Sequence, residues 1–385
     1  MDKKCVSMVR DLAEKEIAAR DPWMDRNGFD KYTYDILRSA GLYGLTLQGQ
    51  YGGSEADTGT AMAVIRALAA ASASTAFSLA AHWLAAGIVE NCGDDKQKAE
   101  YLPQAAAGKI FAFGLTEESA GSDAAGICST AVETSDGWVI NGGKLWITNS
   151  GVADYYIILA KTDARLGTRG ISAFIVPKNA PGLRVGEFER KMGMRGATTC
   201  KLYFSNMLLH RDALIGTAGC GFKYAMSALD SARISIAYQA LGISDHALEI
   251  AFHHANSRKT FGSYLSEHQA IQFSAAEMQV RITAGTLLAD NAVRAKCAGS
   301  RCTSKAAMAK LYCSEACSYS CNKAIQFLGG NGYSEEFQAE RLVRDARVLE
   351  IAEGTSEILR MIIGREAMKG FGEQNEHCDA RCPRK

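Results

Sequence analysis

The spacing of apolar residues changes twice along this chain. Up to about residue 110 it is helical, as at Val9 and Leu12, and residues 61–86 form an alanine-rich stretch that we predict to be helical. Over residues 110–215, short β-rich runs alternate with turn signals such as Asp-Gly and Pro-Gly. Helical spacing then returns over residues 220–370. Its long segments are 222–256, 268–298 and 303–328.

These patterns predict an α+β fold with three domains. The first is an N-terminal α-helical domain over residues 1–112, and the second is a middle antiparallel β-barrel domain over residues 113–217. The third is a C-terminal four-helix bundle over residues 218–385, with a polar tail from about residue 371. All five prolines fall outside the long helical segments of the third domain, which supports this division.

The overall charge and the length of the apolar runs argue against several classes of partner. A formal net charge of +1 over 385 residues does not favour a broad electrostatic grip on nucleic acid or on an anionic membrane. No apolar run approaches the length of a membrane span. The sequence opens Met-Asp-Lys-Lys and shows no signal-peptide core, so we expect a cytoplasmic protein.

Twelve cysteines raise the question of disulfides or a metal site. Most stand singly among apolar residues, and we expect no disulfide framework. Cys313, Cys317 and Cys321 recur every four residues and would line one helix face. A metal cluster is one interpretation of that face, and a packed core is the one we prefer. Cys378 and Cys382 lie in the polar tail, which offers too few ligands for zinc, so we expect no metal.

One acidic segment near the C-terminal end has two interpretations. The run Ile-Ala-Glu-Gly-Thr-Ser-Glu-Ile around Glu353 is poor helix interior and indicates a loop followed by a helix start. Glu353, walled by Ile351 and Ala352, would then have a raised pKa and serve as a general base. Alternatively, Thr355 or Ser356 caps the helix and the acid only complements the helix dipole. The segment by itself favours the second interpretation.

Two motifs of the middle domain contain groups suited to a cofactor. Residues 113–123 leave a strand and enter a loop rich in glycine and hydroxyl groups, which could hold a phosphate or a ring carbonyl. In the strand 144–149, alternation places Trp146 and Thr148 on one face. An indole beside a hydroxyl donor suits a planar heterocycle such as a flavin, although a strand with one core aromatic is the simpler interpretation.

Two further motifs lie in the helical C-terminal domain. Arg258 and Thr260, followed by Gln269, suit a pyrophosphate, whereas a solvated basic helix end is the alternative. Residues 326–332, Gln-Phe-Leu-Gly-Gly-Asn-Gly, fit a further contact or a simple helix C-cap. No Gly-x-Gly-x-x-Gly follows a strand, so a Rossmann dinucleotide site is not supported.

In this order, and on this α, β, α plan, the motifs resemble those of the acyl-CoA dehydrogenase family. The resemblance extends from the first helix to about residue 370, and segments 229–233 and 239–242 resemble the short-chain, butyryl-type branch. It implies an FAD enzyme that desaturates a short-chain acyl-CoA thioester between its α and β carbons, or runs the reverse enoyl-CoA reduction. It also implies an electron-transfer flavoprotein as electron partner and a homotetramer built as a dimer of dimers.

The resemblance assigns a role to each motif residue. Glu353 corresponds to the catalytic base, and Ala232 stands where some relatives carry their base instead. The residues expected to contact FAD are Phe113, Leu115, Thr116, Ser122, Trp146, Thr148, Arg258, Thr260, Phe261, Gln269, Gln326, Gly329, Gly330, Thr355 and Glu357. Those between residues 258 and 330 would reach the FAD of a partner chain. The residues expected to line the substrate site are Ser122, Asp230, Arg233 and Gly354.

Three departures from the family pattern bear on these expectations. Glu118 stands where the family usually has Pro, Ala352 replaces a common Tyr before the base, and Phe113 replaces a frequent Tyr. Two competing functions are an oxygen-using acyl-CoA oxidase or flavin monooxygenase, and a non-catalytic scaffold of the same fold. Oxidases usually carry an extra helical domain, and the monooxygenases usually lack this acid. The scaffold is disfavoured by the near-zero charge and by the intact Glu353.

Overall fold

The computed structural model describes the backbone of residues 1–379 and the side chains of residues 1–369. The helices before the sheet are α1 (Lys3–Leu12), α2 (Asp21–Asn27), α3 (Lys31–Ser39), α4 (Thr58–Ala71), α5 (Ala73–Cys92) and α6 (Asp95–Ala106). The sheet strands are β1 (Phe111–Gly114), β2 (Thr130–Thr134), β3 (Gly137–Thr148), β4 (Tyr155–Lys161), β5 (Ile171–Pro177), β6 (Leu183–Phe188), β7 (Thr199–Leu209) and β8 (Leu214–Ile215). The remaining elements are α7 (Gly221–Ser257), β9 (Lys259–Thr260), β10 (Ser263–Tyr264), α8 (Gln269–Cys297), α9 (Thr303–Leu328), α10 (Ala339–Val348) and α11 (Ser356–Asp379).

Polar caps set the starts of the N-terminal helices. The Asp57 side chain accepts a hydrogen bond from the Thr60 amide at the start of α4. Ser72 has extended backbone and accepts from the Thr75 amide, so it ends α4 and begins α5. The stretch 61–86 is helical, as predicted, and the serine cap divides it into two helices, a division that we did not predict.

The middle domain is built on one eight-stranded sheet. Its strand order is β6-β7-β3-β2-β4-β5-β8, and β1 pairs with β4. The ladders are antiparallel except for β1 with β4 and one pair between β2 and β4, which are parallel. The sheet is thus mixed, whereas we expected a purely antiparallel barrel, and its pairings among the described residues do not close into a ring. The β2–β3 hairpin between β1 and β4 supplies the long crossover that a parallel pair requires.

Long helices form the C-terminal domain, as predicted. Helix α9 packs against both α7 and α8, and α10 and α11 pack against α9. The observed ends of α7, α8 and α9 lie within one residue of the predicted segments. Helix α11 continues to Asp379 and so enters the stretch that we predicted as a polar tail. The side chains of the tail cysteines lie outside the described residues.

The cysteine face of α9 is part of the core. Cys313, Cys317 and Cys321 are all at most 1% exposed, which confirms the packed-core interpretation. Over the part of the chain that the structure describes, no group of three or more His, Cys, Asp or Glu side chains is placed to hold a metal ion. Within the same residues, no helix is long and apolar enough to cross a membrane.

Candidate active site

Glu353 lies in the turn between α10 and α11, in a backbone conformation that L-residues rarely adopt. Its φ is +58°, and the φ of Gly354 is +103°. A left-handed conformation costs a non-glycine residue about 1–2 kcal/mol, so the surrounding structure must hold it in place. The Thr355 hydroxyl then accepts a hydrogen bond from the Ile358 amide and caps α11. The loop and the helix cap that we predicted are therefore both present.

Two cationic side chains bind the carbonyls of this turn. The Arg233 Nε on α7 donates to the Glu353 carbonyl at 3.1 Å. The Lys310 Nζ on α9 donates to the Gly354 carbonyl at 2.8 Å. Arg233 also donates through Nη1 to Asp230 Oδ1 at 2.8 Å. Because α7 and α9 each contribute one donor, the packing of the bundle fixes the turn.

Two effects of the surroundings shift the pKa of the Glu353 carboxyl in opposite directions. Its side chain is half-buried, and loss of solvation raises the pKa of its carboxyl. The positive charges of Arg233 and Lys310 oppose that rise in pKa without reversing it. The raised pKa that we predicted has this origin rather than the expected apolar walls, because Ile351 is 52% exposed. Among the described side chains, no hydrogen bond to the Glu353 carboxylate is present.

The cofactor-like loop after β1 meets β3 directly. The Leu145 amide donates to the Thr116 carbonyl at 2.8 Å, so the two middle-domain motifs form one surface. Trp146 has a φ of +59° and sits at a break in the β3–β7 register between Lys144 and Ile147. This bulge turns the Trp146 indole outward, where it is 60% exposed. The flanking Ile147 is buried, so the strand is anchored while the indole is presented to solvent.

A buried ion pair supports the same loop from below. Lys144 is fully buried, and its Nζ lies 2.5 Å from Glu117 Oε1 and 3.2 Å from the Leu115 carbonyl oxygen. Glu117 also accepts hydrogen bonds from the amides of Cys128 and Ser129. The pair therefore ties both ends of the loop to β3 and β2.

The two C-terminal motifs lie at the other end of the helical bundle. Arg258 follows the last residue of α7, and Gln326 is near the end of α9. Arg258 comes 25 residues after Arg233, and at about 1.5 Å per residue they are about 37 Å apart along α7. Phe261 lies in the turn between β9 and β10, is 100% exposed and has a φ of +51°. These residues cannot reach the surroundings of Glu353 in the same chain.

Comparison with known proteins decides the family. Models named acyl-CoA dehydrogenase N-terminal domain, middle domain and C-terminal domain match residues 2–109, 112–207 and 219–368. The chain belongs to the acyl-CoA dehydrogenase family. The three matches follow one another along the chain and leave only short intervals, so the family assignment covers the surroundings of both Glu353 and Trp146.

Individual members of the acyl-CoA dehydrogenase family are similar over nearly the whole chain. An acyl-CoA dehydrogenase of Bacillus subtilis is 39% identical over 368 residues, 94% of this chain and 97% of the relative. A short-chain specific acyl-CoA dehydrogenase of Clostridium acetobutylicum is 38% identical, over 92% and 95%. The butyryl-CoA dehydrogenase structure of Megasphaera elsdenii superimposes with a TM-score of 0.93 at 36% identity, over 95% and 97%. A chain solved in work on the electron transferring flavoprotein of Acidaminococcus fermentans gives a TM-score of 0.92 at 36% identity, over 95% and 99%.

Within this acyl-CoA dehydrogenase fold, the predicted site residues fall into two sets. The first surrounds Glu353 or lies along the β1 loop and β3. It comprises Phe113, Leu115, Thr116, Ser122, Trp146, Thr148, Asp230, Arg233, Gly354, Thr355 and Glu357. The second set, at the far end of the bundle, comprises Arg258, Thr260, Phe261, Gln269, Gln326, Gly329 and Gly330. Arg258 of the second set lies about 37 Å along α7 from Arg233 of the first set.

Some contacts differ from the roles that we expected. The polar atoms of Arg233 are engaged with the Glu353 turn and Asp230, and Asp230 also accepts from Thr303 at 2.6 Å. Assignment of both residues to the substrate channel stays a prediction. Glu118 is exposed, so its extra charge faces solvent. Our sequence reasoning missed Lys310 and the Lys144–Glu117 pair. Lys310 had a signal, because it stands three residues before Cys313 in the apolar stripe of α9.

Proposed function

We propose that this chain is an FAD-dependent acyl-CoA dehydrogenase in which Glu353 removes the α proton of a short-chain acyl-CoA thioester. The placement of Glu353 carries the proposal. It is a half-buried acid with a raised pKa, held in a left-handed turn by Arg233 and Lys310. Such an acid has the basicity and the fixed position that general-base catalysis requires. Short acyl chains are proposed because relatives named short-chain specific and butyryl-CoA dehydrogenase cover most of the chain.

The turn offers one group to polarise the thioester carbonyl and another to accept the α proton. The α proton of a thioester is too weakly acidic for a carboxylate unless the carbonyl is polarised. Among the described residues, the Glu353 amide donates no hydrogen bond, so it is available to the thioester carbonyl oxygen. Its carboxylate likewise has no hydrogen-bond partner among those residues and is available for the proton. One residue thereby polarises the substrate and accepts its proton, which then stays on a carboxylate oxygen of Glu353.

The first set of site residues fits a flavin. Trp146 presents an exposed indole for stacking, and Thr116 and Thr148 in the neighbouring loop and strand are only half-buried. A β-carbon added at Gly121 in the loop would meet no atom within 4 Å, so the backbone there is open to a close ligand. When bound there, FAD would supply the acceptor for the β hydride and deliver the electrons to an electron-transfer flavoprotein. The residues of the chain would orient that group.

The second set of site residues supports a homo-oligomer. Arg258 of this set lies about 37 Å along α7 from Arg233, so it contributes to the same cofactor only if a second copy brings it there. Gly329 and Gly330 leave open space for an approaching group, and the Phe261 ring is wholly exposed. We therefore propose that each FAD lies between two copies, within a dimer of dimers. Cytoplasmic location stays our expectation from the sequence.

Reduction of the bound flavin by acyl-CoA tests the proposed reaction. The purified protein is expected to carry FAD, and butyryl-CoA should bleach its visible absorbance without oxygen, with crotonyl-CoA reversing the change. Glu353→Gln should retain FAD and lose about 10²–10⁴-fold in rate, because a positioned base contributes that much to the rate. The matched control is Glu335→Gln, an exposed acid on the loop before α10, which should behave as wild type.

Three results would overturn the proposal. The first is a purified protein that binds no FAD. The second is full activity of Glu353→Gln, which would remove the acid from the chemistry. The third is peroxide formed in air in equal amount to the oxidised acyl-CoA, which would identify an oxidase instead.

A further inference from the structure

Lys310 is a fully buried lysine whose charge has one hydrogen-bond partner. It is 0% exposed, and its Nζ donates to the Gly354 carbonyl at 2.8 Å. Lysine is almost never fully buried unless its charge is paired. The partner here is a backbone carbonyl in the turn that carries Glu353, not a carboxylate.

Three acids lie near Lys310, and among the described residues Glu353 is the one without an arginine in salt-bridge contact. The other two are Glu350 and Glu315, and each of them already pairs with an arginine. Glu350 lies 2.5 Å from Arg347, and Glu315 lies 2.6 Å from Arg360. Of the acids, Glu353 has the strongest influence on the lysine, and Arg233 is the nearby cation that opposes it.

Lys310 and Arg233 act on consecutive carbonyls of one strained turn. Arg233 holds the Glu353 carbonyl, and Lys310 holds the carbonyl of Gly354, whose φ is +103°. Rotation of either peptide unit toward an ordinary conformation would break one of these hydrogen bonds. The pair therefore fixes the direction of the Glu353 side chain and of its amide.

We propose that Lys310 is a positioning residue for Glu353, which holds the left-handed turn through the Gly354 carbonyl and sets the acid strength of the carboxyl through its charge. The inference rests on the proposed function, since it assigns Lys310 a part in the same proton transfer. Burial lowers the pKa of Lys310 to about 8, and Glu353 opposes that shift. The lysine is therefore charged at neutral pH and loses its proton above about pH 8, where the stabilisation of the Glu353 carboxylate should weaken.

Three variants separate the charge of Lys310 from its hydrogen bond. Lys310→Met removes both, Lys310→Gln keeps a donor without charge, and Lys310→Arg keeps the charge. The control is Lys305→Met, an exposed lysine one turn earlier on α9. Each holoenzyme is assayed for kcat and KM between pH 5 and 9. The protonation of Glu353 is measured without substrate by infrared difference spectroscopy, with the carboxyl band identified by its loss in Glu353→Gln.

For Lys310→Met we expect kcat to fall by about 10- to 100-fold, as for a small misplacement of a catalytic group. The Glu353 titration should move upward by about one pH unit, because a nearby positive charge is lost. KM should change less than kcat. Lys310→Gln should show the same titration shift with a smaller fall in kcat. Lys310→Arg should restore much of the activity, and Lys305→Met should match wild type.

An unchanged Glu353 titration in both neutral variants would refute the inference, as would an unchanged kcat. Thermal unfolding and flavin content identify a variant that fails to fold, and Lys310→Gln then carries the test. Failure of the proposed function is distinct, because wild-type protein would then show no flavin reduction with any acyl-CoA. In that case the infrared titration still reports whether Lys310 sets the acid strength of Glu353.

Discussion

The left-handed backbone at Glu353 predicts an inverted order of stability for two substitutions. At an ordinary helical position, glycine is less stable than alanine by about 0.5–1 kcal/mol. At Glu353 the φ is +58°, which glycine adopts freely and alanine does not. We therefore expect Glu353→Gly to be more stable than Glu353→Ala. Both variants lose the carboxylate, so their difference reports the backbone strain and the greater unfolded-state freedom of glycine, but not the loss of the acid.

The magnitude follows from two opposing contributions. An L-residue in the left-handed region costs about 1–2 kcal/mol relative to its relaxed conformation. Glycine gives back about 0.4–1 kcal/mol, because its unfolded chain has more conformational freedom. The net advantage of glycine over alanine is thus about 0–1.6 kcal/mol, and about 0.8 kcal/mol at the midpoints of the two ranges. With an unfolding entropy of about 2.1 cal/mol/K per residue, this free-energy difference raises Tm by about 1 °C.

Paired scanning calorimetry at one protein and FAD concentration measures that difference. Lys305→Gly and Lys305→Ala, at an exposed position within α9, serve as the control. There the alanine variant should be the more stable one, by about 1 kcal/mol. If alanine is also ahead at Glu353, the turn carries no strain and the reasoning is wrong. Both Glu353 variants should be inactive, so any gain in stability accompanies loss of function.

Three further predictions concern other parts of the structure. Lys144→Met should lower the free energy of chemical unfolding by about 3–5 kcal/mol, because it leaves buried Glu117 without its counter-charge. Adding Glu117→Gln should recover most of that free energy. An unchanged free energy of unfolding in Lys144→Met would contradict the buried pair. Burial and the nearby Asp21 raise the pKa of Asp345 to about 7. The folded state thus favours its protonated form, and stability should fall as pH rises from about 4 to 7, a slope that Asp345→Asn should remove in Tm measurements. Phe261→Ser should leave the Tm of the subunit nearly unchanged, since the ring is wholly exposed in one chain. It should weaken self-association and flavin retention, which size-exclusion chromatography with light scattering measures. An unaltered assembly would contradict the second set of contacts.

Much of the fold was readable from periodic patterns. The long segments of α7, α8 and α9 have an apolar period and no internal proline, so their ends were predicted to within one residue. The stretch 61–86 was harder, because a single serine inside an alanine-rich run carries little periodic signal. The parallel pairing of β1 with β4 depends on contacts distant in the sequence, which local patterns do not encode.

The site was only partly predictable, for a physical reason. Glu353 and Trp146 were found because acid, hydroxyl and aromatic residues stand out in short segments. What holds Glu353 in place lies far along the chain, on α7 and α9, and becomes visible only when those helices pack. The pKa of Glu353 was predicted in the correct direction, but its opposing cations come from these same distant helices.

Backbone strain links three parts of the site. Among the described residues, eight non-glycine residues have a positive φ, and three of these, Trp146, Phe261 and Glu353, are candidate site residues. Two of the three direct an aromatic side chain outward, from β3 and from a hairpin, and the third holds the acid in the turn before α11. Strain of this kind persists only where surrounding contacts determine it. For Glu353 those contacts are Arg233 and Lys310, so the helices that stabilise the bundle are also the ones that place the base.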